Sequence, residues 1–410
     1  MSKDLALPYG DDLQTAPVPA GAQVADALTP GPRSPISWEQ VDEQLRDHAL
    51  PALLSRVTPG LRVGLVTVDA TRPSPRRLLD PLREALDSAG VAYEVVVALG
   101  RHRPMSPDGL RQHLGVPAAH QTCWDEDTPP WPLGLTNRGT PIELHPLLQG
   151  FDLLALVGFV EPTYLAGFSG GPKLLFPGCA SARAISFNHT LILLTGPRPA
   201  ETEGNEVYAD LVEAAKAAVP VPFLLCLSLD SAGRPTGLFA GGWDAHADAR
   251  AACRDGLSVA AGDAFDVVIA SPGATPYDVD MVQAKKALPA ATRAVRPGGT
   301  VVLLGRCPRG WGAISPDRDA LAPDGDRRLA DLAERRRQGY VDADWAALSP
   351  AVMFWHVRRK ARLIIVTEMA DELRGTVAEG VSSLAEALDL VPEGARGAHL
   401  GVLREGRRAI

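Results

Sequence analysis

The chain has few cysteines, no extended basic block and no apolar run of membrane length, and each shortage excludes something. Its five cysteines, Cys123, Cys179, Cys226, Cys253 and Cys307, lie far apart with no CxxC pair. An odd, scattered set suits a reducing compartment better than a disulfide framework. The longest apolar runs, such as "FDLLALVGFV" at 151–160, reach about half a bilayer span. The first residues lack a basic segment followed by an apolar one, so no signal peptide is expected. These absences together imply a cytoplasmic protein. Basic residues go no further than pairs such as Arg76-Arg77 and Arg358-Arg359, and the formal net charge is −8. That argues against nucleic acid and anionic membrane as partners, though a small anion in a local basic pocket remains compatible. No fixed-period repeat is visible.

What is there is an alternation of strand and helix signals from about residue 60. "LRVGLVTVDATR" (61–72) reads as a strand running into a polar turn, and "PSPRRLLDPLREALDSAG" (73–90) as a helix ending on Gly90. "VAYEVVVALG" (91–100) is the next strand, and "SPDGLRQHLG" (106–115) opens with the Ser-Pro pair common at helix starts. "FDLLALVGFV" reads as a buried strand, "GNEVYADLVEAAKAAVP" (204–220) as a helix and "PFLLCLSLD" (222–230) as a strand. A second series starts at "FDVVIASPG" (265–273) and runs through a helical 279–295 to "GGTVVLLG" (298–305) and "RLIIVTEM" (362–369). Such alternation predicts an α/β fold of two domains with largely parallel sheets and a cleft between them. A helical connector over 243–264 puts the boundary near 262: an N-terminal cofactor-binding domain, 1–262, and a C-terminal domain, 263–410, closing over the substrate.

Ligands of such sheets sit beyond the carboxyl ends of the strands. Four polar clusters follow apolar runs. In "VDATRPSP", Asp69, Thr71 and Arg72 precede a helix start, a setting that favours an anion, though an ordinary helix cap with a surface arginine reads equally well. In "GRHRPMS", His102 lies between Arg101 and Arg103, cations that would keep the imidazole unprotonated and ready to accept a proton. A solvated histidine in a basic turn is the plainer reading. "AGFSGGPKLLFPGCASARAISFNH" (166–189) joins Ser169, Gly170, Gly171 and Lys173 to His189. Its glycines allow close backbone approach, and its lysine suits a phosphate binder or a nucleophilic amine. It is neither a P-loop nor a dinucleotide fingerprint, and no GxGxxG follows a strand elsewhere, which weakens an NAD-dependent dehydrogenase. Gln283 and Lys286 share one helix face and could grip a carboxylate, or simply form an exposed polar face.

Together these strings resemble the nickel-dependent lactate racemase family. The likeness runs from "LPYG" (7–10) through "DATRPSP", "HRPM", "GFSGGPK…PG.AS…NH" and "Q..K" to "RPGGTVVLLG". It implies a nickel-pincer nucleotide, a pyridinium-3,5-bisthiocarboxylic acid mononucleotide carrying Ni(II), tethered covalently to Lys173. His189 would be the protein ligand to nickel in a square-planar set. By the same likeness Asp69, Thr71, Ser169, Gly170 and Gly171 line the cofactor. His102 would be a general acid and base, with Arg72, Gln283 and Lys286 holding the substrate and Trp355 near it. The implied reaction is racemisation or epimerisation of a 2-hydroxy acid through hydride transfer, and the implied partners are the proteins that make the cofactor.

One position departs from the pattern. The family's second histidine base falls on Thr163, in "EPTYLAGFSGG", and a threonine cannot act as a base near neutral pH. Glu161, Tyr164 or a substrate group would replace it, or His102 would act alone. Val282 replaces a family tyrosine, so a larger 2-hydroxy acid or a sugar acid is expected rather than lactate. The alternative is a non-catalytic or unmatured relative that binds a nucleotide or sugar phosphate and needs no acid–base pair.

Overall fold

The computed structural model describes residues 4–116, 119–124, 128–312, 314–341, 343–391 and 399–408. Two six-stranded sheets organise them. Across the first, the order is Pro235–Gly241, Phe223–Leu229, Leu153–Val160, Arg62–Val68, Ala92–Ala98 and His120–Gln121, parallel throughout except for the antiparallel Pro235–Gly241 edge. Across the second, the order is Glu379–Val381, Arg362–Val366, Val295–Leu304, Phe265–Ala270, His399–Leu403 and Gln23–Asp26, all parallel. Parallel strands need long crossovers, and helices supply them, which is why the strands are apolar on both faces. Leu153–Val160 is buried at every residue.

Local chemistry sets the helix ends. Ser106 caps Pro107–Leu114, which stops at the left-handed Gly115. Ser181 caps Ala182–His189, Asn205 caps Glu206–Ala218 and Asp280 caps Met281–Ala284.

The structure departs from the expected elements in three places. The connector helix spans only Asp244–Gly256, and Val259–Ala260 beyond it is a strand paired to Leu28–Thr29. The helix expected over 279–295 is three short pieces, Met281–Ala284, a 3-10 turn at Lys285–Ala287 and Leu288–Ala294. Pro289 cannot donate the amide that would join the last two. Finally, the chain's beginning lies with the second sheet. Gln23–Asp26 pairs with His399–Leu403, while Leu5, Leu7 and Ala16 of the hairpin Asp4–Tyr9 and Asp12–Pro17 cover that sheet's face beside Leu384 and Leu388. The hairpin Asp4–Pro17 and the strand Gln23–Asp26 thus pack with the second sheet, which is otherwise built from residues after 263.

Strand order in the first sheet reverses at Arg62–Val68. The chain leaves it for Ala92–Ala98 on one side, while Leu153–Val160 flanks the other. A crevice opens at such a reversal, beyond the carboxyl ends of the strands. Asp69 and Glu161 follow two of these strands directly, and His102 lies in the turn after the third.

Candidate active site

Asp69 is buried at the end of its strand, and its neighbours use both of its oxygens. Oδ1 accepts the Thr71 hydroxyl at 2.6 Å and the Thr71 amide at 3.1 Å, and Oδ2 lies 2.6 Å from His102 Nδ1. Burial pushes this carboxyl up, but the His102 contact, the Thr71 hydroxyl and Arg72 outweigh it and hold the group well below the usual carboxylate range. An ionised Asp69 makes Nδ1 the donor, so the lone pair on Nε2 of His102 faces away, free to take a proton. Arg101 turns to Asp344, with Nη1 at 3.0 Å and Nη2 at 2.8 Å from the two carboxylate oxygens. The carboxylate of Asp69 is the group His102 meets.

Lys173 lies on the short helix Pro172–Leu175, two residues after Gly171. Burial first, and Arg72 second, lowers its amine from 10.5 to about 7. Near pH 7.5 much of Lys173 is then free amine, where an ordinary lysine is about one part in a thousand. Acylation by a small activated ester, followed by peptide mass spectrometry across pH, should therefore give a midpoint near 7 for Lys173. Free Nα-acetyl-lysine in the same tube is the reference, and a coincident titration of the two would remove the argument.

His189 ends the helix Ala182–His189 and is 7 % exposed. Burial, then Lys173 and Arg101, drives its protonation well below the ordinary range, so the imidazole is neutral and shares an electrostatic environment with the amine. Its helix is held from the other half of the molecule. Ser186 donates to Asp344 at 3.3 Å, Arg336 donates to the Phe187 carbonyl at 3.1 Å, and the ring of Trp345 meets that of His189 edge-on at 5.8 Å. Trp345 was not singled out by the sequence; Trp355, expected near the substrate, donates its indole N–H to the Ala320 carbonyl at 2.9 Å.

The glycines and Ser169 have a packing role that the sequence did not disclose. Gly170 has φ +73°, and a Cβ there would sit 2.7 Å from the Phe159 carbonyl oxygen; one on Gly171, at φ +51°, would sit 2.5 Å from His246 Cγ. Ser169 donates to the Phe159 carbonyl at 2.9 Å and accepts the Glu161 amide at 2.9 Å. These residues fasten the loop to the sheet and to His246, and in doing so aim Lys173.

Across the cleft, Lys286 donates to Gln283 Oε1 at 2.5 Å. Burial, then the nearby Arg72, Lys285 and Arg407 charges, lowers its amine well below the ordinary range. Arg72 Nε lies 3.7 Å from one oxygen of the buried Glu161, and Arg407 Nη1 lies 4.0 Å from the other. Thr163, at the departing position, has a buried hydroxyl with no hydrogen-bond partner. Tyr164 is buried, which raises its phenol beyond useful acid–base range. The first half of the chain thus contributes a His–Asp pair, an amine lowered to about 7 and a neutral imidazole, and the second half an amide and a second buried amine whose charge is disfavoured.

Comparison with known proteins bears directly on this arrangement. Residues 9–201 match the lactate racemase N-terminal domain and residues 260–406 the lactate racemase C-terminal domain. The chain belongs to the lactate racemase family. It is 32 % identical over 263 residues to a lactate racemase of Thermoanaerobacterium thermosaccharolyticum, a match that spans 60 % of each chain. It is 26 % identical over 421 residues to a lactate racemase of Lactiplantibacillus plantarum, covering 95 % of this chain and 97 % of that one. The solved lactate racemase apoprotein from T. thermosaccharolyticum superimposes with a TM-score of 0.81 at 22 % identity, over 100 % of this chain and 99 % of that one. A crystal structure of a Thermotoga maritima protein gives 0.70 at 18 % identity, over 93 % and 99 %. At these identities the structural likenesses speak for the two-domain α/β fold. Membership in the lactate racemase family supports a racemase or epimerase activity. No helix among the described residues is long and apolar enough to cross a membrane.

Proposed function

We propose that this protein interconverts the stereoisomers of a 2-hydroxy acid, using a nickel-pincer nucleotide held by Lys173 and His189. What supports the reading most is the pairing of an amine lowered to about 7 with a buried imidazole that this amine helps keep neutral. The residues suit such a group. Lys173 offers an unprotonated nucleophile for a covalent tether, and His189 offers a lone pair for a borderline metal. No three His, Cys, Asp or Glu side chains among the described residues gather as a metal cage. The resemblance would make His189 a single protein ligand beside donors carried by the organic group. When bound, that group supplies the reversible hydride acceptor that amino-acid side chains lack.

The protein's own share is binding, orientation and proton transfer. Arg72 and the Gln283–Lys286 pair would hold the substrate carboxylate from opposite sides of the cleft. His102 Nε2 would take the 2-hydroxyl proton and return it, with Asp69 balancing the imidazolium. Thr163 has no titratable group, Tyr164 is out of range, and Glu161 faces two guanidiniums. On this reading His102 serves as the base for both enantiomers. The Arg101–Asp344 pair and the contact of Trp345 with His189 tie the two halves together beside the imidazole.

The test is a panel of single-enantiomer 2-hydroxy acids and sugar acids, assayed for loss of optical purity with protein made alongside cofactor-producing enzymes. Nickel content and intact mass are read on the same sample. Nickel, a mass adduct on Lys173 and racemisation of at least one substrate are expected. Protein that carries adduct and metal yet binds without turnover would favour the alternative, a sensor for a nucleotide or sugar phosphate.

A further inference from the structure

Behind His189 runs a buried chain of hydrogen bonds, and each link has a fixed direction. The Thr140 amide donates to Thr136 Oγ1 at 3.1 Å, which leaves the Thr136 hydroxyl proton for Asp210 Oδ1. Asn188 Nδ2 donates to Asp210 Oδ2 at 2.8 Å and to the Val207 carbonyl at 3.0 Å. Both amide protons are then spent on acceptors, and Asn188 Oδ1 is left facing His189 Nδ1 at 2.9 Å. Turning the amide round would set its oxygen against the Asp210 carboxylate and the Val207 carbonyl, two repulsive contacts with no water to relieve them. Asn188 and Asp210 are both fully buried. An oxygen facing Nδ1 requires a proton there, so the lone pair must be on Nε2.

We propose that Asp210, acting through Asn188, is a positioning residue that locks His189 in its Nδ1–H tautomer before any metal arrives. The inference goes beyond the reading of His189 as a ligand, and its use rests on that reading. An imidazole free to exchange tautomers presents a proton to the metal part of the time, whereas this one presents a lone pair always. Trp345, edge-on to the ring at an interplanar angle of 78°, limits rotation from the other side. A carboxylate at one remove also raises the electron density at Nε2, as outer partners of ligating histidines generally do. Asp210 lies on Glu206–Ala218, a helix otherwise buried through its apolar side, and Thr136 lies in the turn after Trp131–Leu135.

The deciding experiment needs no metal. Protein labelled with 15N-histidine is made without cofactor, and the two ring nitrogens of His189 are read by long-range proton–nitrogen correlation, with assignment from a His189→Gln variant. Nδ1 is expected at the protonated, pyrrole-like position and Nε2 at the unprotonated, pyridine-like one, unchanged across neutral pH. A wild-type spectrum with Nε2 protonated, or with averaged shifts, overturns the proposal. Asp210→Asn should shift the ring toward averaging and lower nickel occupancy after maturation about 10- to 100-fold. Thr136→Val, which removes the outermost donor together with the acceptor of the Thr140 amide, should do the same more weakly, and serves if Asp210→Asn does not fold. A locked Nδ1–H ring in a protein that takes up no nickel would sink the functional reading and leave the relay standing. Nickel uptake by a protein whose His189 carries its proton on Nε2 would do the reverse.

Discussion

His102→Gln is expected to slow racemisation about 10²- to 10⁴-fold, the usual worth of a positioned general base. Glutamine keeps a polar side chain of similar reach but cannot carry the proton. The loss should fall on both directions of the reaction, because Thr163, Tyr164 and Glu161 offer no second base. This is where the prediction is sharpest. An enzyme with two bases would lose one direction of proton abstraction far more than the other, and the two initial rates from opposite enantiomers would separate. Asp69→Asn should cost nearly as much while leaving KM within a few-fold. An amide at that point can offer its N–H to Nδ1, which turns the ring to the tautomer with its proton on Nε2, the wrong one for a base. Equal activity in wild type and Asp69→Asn would mean that the 2.6 Å contact between Asp69 and His102 has no part in catalysis.

Lys173→Ala is expected to abolish turnover altogether and, with it, the mass adduct. The argument is chemical rather than structural. Lys173 lies on a one-turn helix whose placement depends on Gly170 and Gly171 packing against Phe159 and His246, and none of those contacts uses the amine. The variant should therefore fold and melt like wild type. It also removes the Lys173 charge from His189, so the imidazole of the variant should take up a proton at a higher pH than that of the parent. Lys173→Arg separates charge from nucleophilicity, since a guanidinium restores the cation but stays protonated. It should be as inactive as the alanine variant. Activity in either would show that no bond is made through this side chain.

Much of this arrangement could be read from sequence, for a physical reason. Parallel strands buried on both faces are near-continuous apolar runs, so "LRVGLVTV" and "FDLLALVGFV" declared themselves, and the polar residues after each run had to lie at the mouth of the sheet. Trp345, by contrast, acts on His189 through space from 156 positions away, and nothing local to "DWAAL" distinguishes it from the tryptophan ten residues later. Asp210 was equally hidden, an acid in an amphipathic helix whose partner is an asparagine on another helix. The packing of the glycines was hidden, because a sequence shows that a Cβ is missing and not which wall it would have struck. Gln23–Asp26 could not be placed at all. All four of its residues are exposed, so burial leaves no trace in their order, and only backbone pairing ties them to the second sheet.

That last pairing has a practical consequence. Because the polypeptide starts in one lobe, builds the other and then returns, two covalent threads join the lobes instead of one. Cutting the gene near codon 262 would therefore strip His399–Leu403 of its neighbour and uncover Leu400 and Val402. The excised piece would then offer a bare strand flank on which copies could stack.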